Sequence, residues 1–135
     1  QRQMCIRDRG GEIPKEIGEV KRLKRLYLIN NGMTGEIPVE LGQLSGLMLI
    51  DLSHNHFYGT VPLTLLENPN RGVTLNYNDL TVLPWDCWLD AKYNIPSVQF
   101  NRLSGKVPEN VRNTERWKDY KWLVGTQQEG YGYIE

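Results

Sequence analysis

The feature that most constrains this chain is a pattern of leucine-type residues, an asparagine and a glycine that recurs at a period of 24 residues. Residues 35–59 contain L-x-x-L-x-x-I-x-L-x-x-N-x-F-x-G, in which the asparagine is Asn55 and the last glycine is Gly59. The same pattern lies 24 residues earlier and ends at Gly35. Recurrence at a fixed period of about 20 to 50 residues is typical of a solenoid, in which each unit is one short structural element.

The leucine-type positions predict stacked units, each with one short strand. A single unit is too thin to bury its apolar side chains, so neighbouring units must share one interior. Residues 25–29 (RLYLI) alternate as a half-buried strand does, and residues 49–53 and 72–76 match them. We expect these strands to be parallel, because the chain enters every unit in the same direction. The next strand, near Val98, is expected to be short or irregular, because Pro96 removes a ladder donor.

An asparagine follows each predicted strand at the point where the chain turns inward. Backbone N–H and C=O groups lose their ladder partners there and must find others if they are buried. An asparagine amide both donates and accepts hydrogen bonds, so a column of such amides satisfies these groups. We therefore interpret four residues as a structural asparagine ladder: Asn31, Asn55, Asn78 and Asn101.

The repeats divide the chain into three parts. Residues 1–9 match no repeat position, and we interpret them as a non-native or disordered arm. Residues 10–125 are predicted to form one domain of about four to five repeats, of which the last is a degenerate cap. In that cap Trp117, Tyr120 and Trp122 are expected in strand positions before Gly125, and an amphipathic helix is the alternative. Residues 126–135 are polar and glycine-rich and are predicted to be a flexible tail.

Charge and motif content argue against several classes of function. With 16 basic and 16 acidic residues, the chain has no general attraction for nucleic acid or an anionic membrane. It contains no phosphate-binding loop and no nucleophile elbow, so we expect no catalytic residue and no cofactor. His54 and His56 flank Asn55, but zinc needs further ligands and we expect no metal site. Cys87 is interpreted as a buried core thiol.

Taken together, these repeated positions resemble the plant-type leucine-rich repeat, LxxLxxLxLxxNxLxGxIPxxLGx. The match is nearly complete over residues 11–66 and partial to about residue 108. The resemblance implies an α/β-type solenoid, a right-handed superhelix with a parallel concave β-sheet of about four to five short strands. It also implies that the convex side consists mostly of loops, 3₁₀ turns and short extra strands.

The same resemblance implies a function in binding. Its members include receptor ectodomains, receptor-like proteins and inhibitors, so it implies a non-catalytic module that binds a protein or peptide on the concave face. The alternative is a structural spacer, or an ectodomain segment, of a larger receptor-like kinase or receptor-like protein. An extracellular or cell-surface location is favoured over an intracellular adaptor. We expect a fragment of a longer protein that is monomeric, binds no nucleic acid and inserts no part of this segment into a membrane.

Outward positions on the predicted strands are the best candidates for the binding surface. Alternate residues of a strand point to opposite faces, so these positions line one side of the sheet. Strands stack at ~4.8 Å, which makes the strip about 15–20 Å wide. An ordinary solvated sheet face is the alternative interpretation. The predicted partner-binding residues are Lys24, Arg25, Tyr27, Ile29, Met48, Leu49, Asp51, Ser53, Thr74, Asn76, Ser97 and Gln99.

Overall fold

The computed structural model describes the backbone of residues 3–5 and all of residues 10–135. In chain order the strands are β1 (Gln3–Cys5), β2 (Arg25–Tyr27), β3 (Thr34–Glu36), β4 (Leu49–Asp51), β5 (His56–Thr60), β6 (Gly72–Thr74), β7 (Asp79–Val82), β8 (Ser104–Lys106) and β9 (Gly132–Ile134). The α-helices are α1 (Asp86–Leu89), α2 (Glu109–Arg112) and α3 (Glu115–Tyr120), and 3₁₀ helices span Lys15–Glu19, Val39–Gln43, Leu63–Leu66 and Lys121–Val124. Within the described ranges, no helix has the length and apolar character that a membrane span requires.

The main sheet is built from one strand per unit, as the alternating segments predict. Its four strands run parallel in the order β1-β2-β4-β6. Each of the three predicted strands ends two residues earlier than expected, because the backbone turns toward the ladder asparagine. The fourth predicted strand is reduced to one bridge between Thr74 and Ser97, and Pro96 explains its shortness. The parallel solenoid sheet is therefore confirmed.

Two smaller parallel sheets accompany the main one. Strands β3, β5 and β7 form the first, and β8 pairs with β9 in the second. Gly35 lies in the middle of β3 with φ +88°, a backbone conformation that residues with a side chain rarely adopt. Only glycine therefore fits this position of the repeat.

In the first three units, the side away from the main sheet is formed by 3₁₀ helices. Pro14, Pro38 and Pro62 each precede one of these helices in an extended conformation. The second and third of these helices approach closely at Gly42, where an added Cβ would lie 2.4 Å from the backbone carbon of Thr64. The absence of a side chain at this glycine thus sets the spacing between two units.

The leucine-type positions of successive units form one continuous core. Leu26, Ile50, Leu52 and Leu75 are fully buried in it, as is Val98 from the fourth unit. Burial of this shared interior is the main favourable term that holds the units together. Later in the chain Trp88 and Cys87, both buried on α1, extend the same core.

Three residues of the predicted N-terminal arm are ordered, which contradicts the disordered alternative for them, while a non-native origin stays a prediction. The backbone of β1 pairs with β2, aligning Gln3 with Arg25, Met4 with Leu26 and Cys5 with Tyr27. These three residues are therefore part of the solenoid and not an arm outside it. The strands align at an offset of 22 residues, so a search at a period of 24 missed the match. The remaining residues of the predicted arm, 1–2 and 6–9, lie outside the described residues.

The last unit is helical where strands were predicted. Trp117 and Tyr120 lie in α3, and Trp122 lies in the 3₁₀ helix Lys121–Val124, so the helical alternative is correct. Thr114 explains this outcome: its side chain accepts a hydrogen bond from the backbone N–H of Trp117 (3.0 Å) and begins the helix as an N-cap.

The same unit still continues the amide ladder, at a residue that the count of 24 did not identify. Gln127, not Gly125, takes the next ladder position. Its Oε1 accepts from Leu103 N (3.1 Å), and its Nε2 donates to the carbonyls of Val98 (3.0 Å) and Val124 (2.8 Å). Glutamine carries the same amide as asparagine, so the substitution preserves the function of the position.

The predicted flexible tail, residues 126–135, is instead part of the fold. Strand β9 pairs with β8, and the Tyr133 ring packs against Trp85 at a centroid distance of 5.0 Å. Glu135 accepts hydrogen bonds from Trp117 Nε1 (3.0 Å) and Lys121 Nζ (3.1 Å). The domain therefore extends past the predicted boundary at residue 125 to the end of the described chain.

Candidate binding surface

The predicted binding residues lie side by side on the outer face of the main sheet. Strand register aligns Tyr27 with Asp51 and Asp51 with Thr74, and the single bridge adds Ser97 to this row. A second row begins at Arg25, which aligns with Leu49. The sheet thus gathers side chains that are about 24 residues apart in sequence into neighbouring positions.

Eleven of the twelve predicted residues are exposed or half-buried, and Ser53 is the exception. Ser53 is buried and its hydroxyl donates to Asp51 Oδ1 at 2.6 Å, so its prediction as a contact residue is wrong. The side chain is occupied in orienting the neighbouring carboxylate. We call the other eleven residues the strip: Lys24, Arg25, Tyr27, Ile29, Met48, Leu49, Asp51, Thr74, Asn76, Ser97 and Gln99.

Hydrogen bonds within the C-terminal half of the strip fix its polar side chains. Asn76 Oδ1 accepts from Ser97 Oγ (2.9 Å) and from Gln99 N (2.8 Å). Gln99 Nε2 in turn donates to the carbonyl of Trp122 (2.9 Å). This part of the surface is preorganised, which lowers the entropy lost on binding a partner.

The amide ladder supports the strip from below. Asn55 Oδ1 accepts from the backbone N–H groups of Asn31 (3.1 Å) and Met33 (3.0 Å), and its Nδ2 donates to the carbonyl of Leu52 (3.0 Å). Asn78 and Asn101 make the equivalent bonds in the next two units. All four ladder asparagines are buried, and the amides of Asn55, Asn78 and Asn101 tie neighbouring units together.

A column of stacked rings borders the strip, and sequence reasoning did not find it. The ring of His54 stacks on Tyr77 at 4.3 Å, and Tyr77 stacks on Phe100 at 4.4 Å. Each of these residues precedes a ladder asparagine and has φ between +58° and +60°, as Asn30 has at +57°. Positive φ at non-glycine residues is uncommon. The available sequence signal for this column was that each of its rings belongs to the residue directly before a ladder asparagine.

Beside the column lies a small polar cluster centred on Asp79. His56 Nδ1 is 3.4 Å from Asp79 Oδ2, and Arg102 is 3.3 Å from Oδ1. Gln128 Nε2 also donates to Asp79 Oδ1 at 3.1 Å. The two histidines thus separate, one into the ring column and one into this cluster. Within the described residues no group of three or more possible ligands is placed to hold a metal ion.

Arg71 is a buried cation that the sequence analysis did not single out. It occupies the position that Leu23 and Leu47 hold in the two preceding units. Its guanidinium donates to the carbonyls of Leu44 (2.7 Å), Leu47 (2.6 Å) and Leu65 (3.2 Å). Burial lowers the pKa of Arg71 from its usual value, and nearby Glu67 partly opposes this. Its role is structural, because the side chain is fully inside the fold.

The described thiol is unsuited to nucleophilic chemistry. Burial raises the pKa of Cys87 to about 12, so the thiol stays neutral near physiological pH. Burial likewise raises the pKa of the Tyr133 hydroxyl well above its usual value. Cys87 is thus the buried core residue that its sequence position predicts.

Comparison with known proteins agrees with this geometry. The family model described as Leucine Rich Repeat matches residues 22–44. The solved structure of PEPR1 with AtPEP1 is 31% identical, with a TM-score of 0.71, over 98% of this chain and 18% of that one. This chain has the plant-type leucine-rich-repeat fold. No curated protein matches its sequence significantly.

Two further structures show how widely this leucine-rich-repeat fold is used. The Arabidopsis receptor kinase HAESA, solved with the peptide hormone IDA and the co-receptor SERK1, is 25% identical (TM-score 0.60) over 80% of this chain and 22% of that one. A plant ice-binding protein is 33% identical (TM-score 0.62) over 75% of this chain and 33% of that one. The present leucine-rich-repeat chain therefore spans 18% and 22% of the two receptor chains.

Proposed function

We propose that this chain is a non-catalytic module that binds a protein or an extended peptide through the strip. The strip itself carries the proposal. It combines basic, apolar, acidic and polar side chains on one sheet face, and buried amides hold the strands in place. A rigid surface of varied chemistry suits selective recognition, because its side chains lose little conformational entropy on binding.

Similar structures support this choice of ligand class. PEPR1 is solved with AtPEP1, and HAESA is solved with a peptide hormone and a co-receptor. We extend this class to the present chain and place the contact on the strip. The proposal includes a monomeric chain at the cell surface that needs no cofactor and binds no nucleic acid. Light scattering tests the monomer, which predicts a mass near 15.7 kDa.

A matched pair of substitutions tests the strip as the binding surface. Peptides are first selected from a random dodecapeptide phage library on the immobilised chain. Thr74→Trp places a large neutral side chain in the middle of the strip, whereas Thr60→Trp makes the same change at an exposed position on β5. We expect the first variant to weaken the selected peptides by about tenfold or more, and the second to change binding by less than about twofold.

The alternative is a structural spacer, or an ectodomain segment, of a larger receptor-like kinase or receptor-like protein. This chain spans only 18% and 22% of the two receptor chains, as a segment of a larger protein would. A spacer predicts that no selected peptide distinguishes Thr74→Trp from Thr60→Trp while both variants retain the circular dichroism of the parent. Equal binding by the two variants would therefore reject the strip and support the spacer.

A further inference from the structure

Positive charge is concentrated at one end of the strip although the whole chain has no net charge. Lys24 and Arg25 are both exposed there, next to exposed Arg22. No described carboxylate lies within ion-pair distance of these three side chains. Cations left unpaired on an exposed surface attract an acidic partner and raise its association rate.

The acidic side chains that balance this charge lie elsewhere on the molecule. Exposed or half-buried glutamates recur in the segments before and within the 3₁₀ helices of the first two units, away from the main sheet; they are Glu12, Glu16, Glu36 and Glu40. The one carboxylate of the strip, Asp51, already accepts bonds from the hydroxyl and the N–H of Ser53. The basic end of the strip therefore faces solvent without a competing acidic neighbour among the described residues.

Next to the basic end, the residues of the sheet face become smaller and apolar. Arg25 aligns with Leu49, and Leu49 aligns with Gly72, so the side chains along this row shorten step by step. The Leu49 side chain leans over the glycine, where an added Cβ would lie 3.1 Å from Leu49 Cδ1. This row accommodates the backbone and a small apolar side chain of an extended segment.

An exposed aromatic residue marks the opposite end. Trp122 is 62% exposed, and its carbonyl is held by Gln99 of the strip. The carbonyl of neighbouring Leu123 accepts from Val98 N, as the carbonyl of Ser97 accepts from Leu75 N one unit earlier, so this 3₁₀ segment stacks next to the strip as one more unit. Tryptophan is among the residue types that most often anchor an interface.

We propose that the strip binds an extended acidic segment of a partner protein, with its carboxylates on Lys24 and Arg25 and an apolar side chain on Trp122. This inference rests on the proposed function and specifies its ligand. Four steps of ~4.8 Å separate the two ends, or about 19 Å. At ~3.3 Å per residue, the acidic and apolar anchors of the ligand are about six residues apart.

The composition of the peptides selected from the random dodecapeptide library tests this inference. We expect Asp and Glu to be enriched over the input library, with an aromatic or large aliphatic residue about six positions away. Binding of a selected synthetic peptide should weaken by about tenfold in Lys24→Glu/Arg25→Glu. It should also weaken as salt is raised, since exposed charges are screened.

Lys15→Glu/Lys106→Glu is the matched control, because it makes the same charge change at exposed lysines off the strip. The acidic ligand is rejected if the selected peptides lack acidic enrichment, or if both double variants weaken binding equally. Peptides that lose binding in Thr74→Trp without being acidic would overturn this inference and leave the proposed function standing. Failure to select any peptide that responds to Thr74→Trp would overturn both. Loss of binding in Trp122→Ala is expected, and unchanged binding would remove the second anchor.

Discussion

Replacing one ladder asparagine should destabilise the whole domain. Asn55 is the most connected of them, and Asn55→Ala removes every bond that its amide makes. Its Oδ1 accepts from two buried N–H groups, and its Nδ2 donates to the carbonyls of Leu28 (2.5 Å), Leu52 (3.0 Å) and Ser53 (3.2 Å). The substitution cannot be relieved locally, because alanine offers neither a donor nor an acceptor.

The size of the effect follows from the groups that lose their partners. The N–H groups of Asn31 and Met33 belong to residues that are only 6% and 5% exposed, so water cannot easily replace the lost acceptor. A buried donor left unsatisfied costs about 1–3 kcal/mol. Two such donors predict a loss of about 2–6 kcal/mol. The carbonyls of Leu52 and Ser53 add little to it, because each keeps another donor. The predicted loss is a large part of the ~5–15 kcal/mol that stabilises a typical domain.

Urea unfolding followed by tryptophan fluorescence measures this loss. The four tryptophans all lie after residue 84, so they report a change made at residue 55 only if the units unfold together. Asn110→Ala, at an exposed position on α2, is the control and should change stability by less than about 0.5 kcal/mol. A loss of less than about 1 kcal/mol in Asn55→Ala would refute the ladder as a main stabilising device.

Three further predictions are tested on the same purified chain. Gly42→Ala should lower the free energy of unfolding in urea by about 1–3 kcal/mol, because the added Cβ meets the backbone of Thr64 at 2.4 Å. Gly46→Ala is the control and should not be destabilised, because its Cβ would lie 3.6 Å from the nearest atom. Equal effects of the two substitutions would contradict the close approach at Gly42. Arg71→Ala should lose about 2–5 kcal/mol, and Arg71→Leu less, because leucine fills this position in two other units. An equal loss in the two variants would show that the three carbonyl bonds, which both remove, outweigh the packing of the side chain. In a Cys5→Ser background, the raised pKa of Cys87 predicts that a thiol reagent does not react at pH 8 until urea unfolds the chain. It also predicts that the free energy of unfolding falls as pH rises from the pKa of the unfolded thiol toward about 12. Rapid reaction of the folded protein would exclude the buried thiol.

The parts of the fold that follow one rule per unit were predictable from sequence. Leu28 and Leu52 mark inward positions because only apolar residues suit a shared interior, and Asn55 marks the turn because an amide satisfies both kinds of backbone group. Such positions repeat, so one physical argument applies many times. The strip followed from the same alternation, and only Ser53 was assigned to the wrong environment.

The features that were missed depend on local events that occur once. The strand at Gln3–Cys5 is offset by 22 residues, and the capping hydroxyl of Thr114 selects helix over strand in the last unit. Arg71 occupies a leucine position, and only the structure shows three carbonyls converging on its guanidinium. The ring column depends on a left-handed backbone conformation at the residue before each ladder asparagine. Phenylalanine is not a residue type that favours this conformation, so the sequence did not indicate it at Phe100.

Mapping a selected peptide onto the chain by NMR tests the central claim most directly. Backbone amide shifts of the ¹⁵N-labelled chain are recorded during titration with the peptide. The account predicts that the largest changes fall on the outer face of the main sheet, at Arg25, Asp51, Thr74 and Ser97, with little change at Lys15 or Gly42. The largest changes among the 3₁₀ helices, with the sheet unaffected, would contradict it.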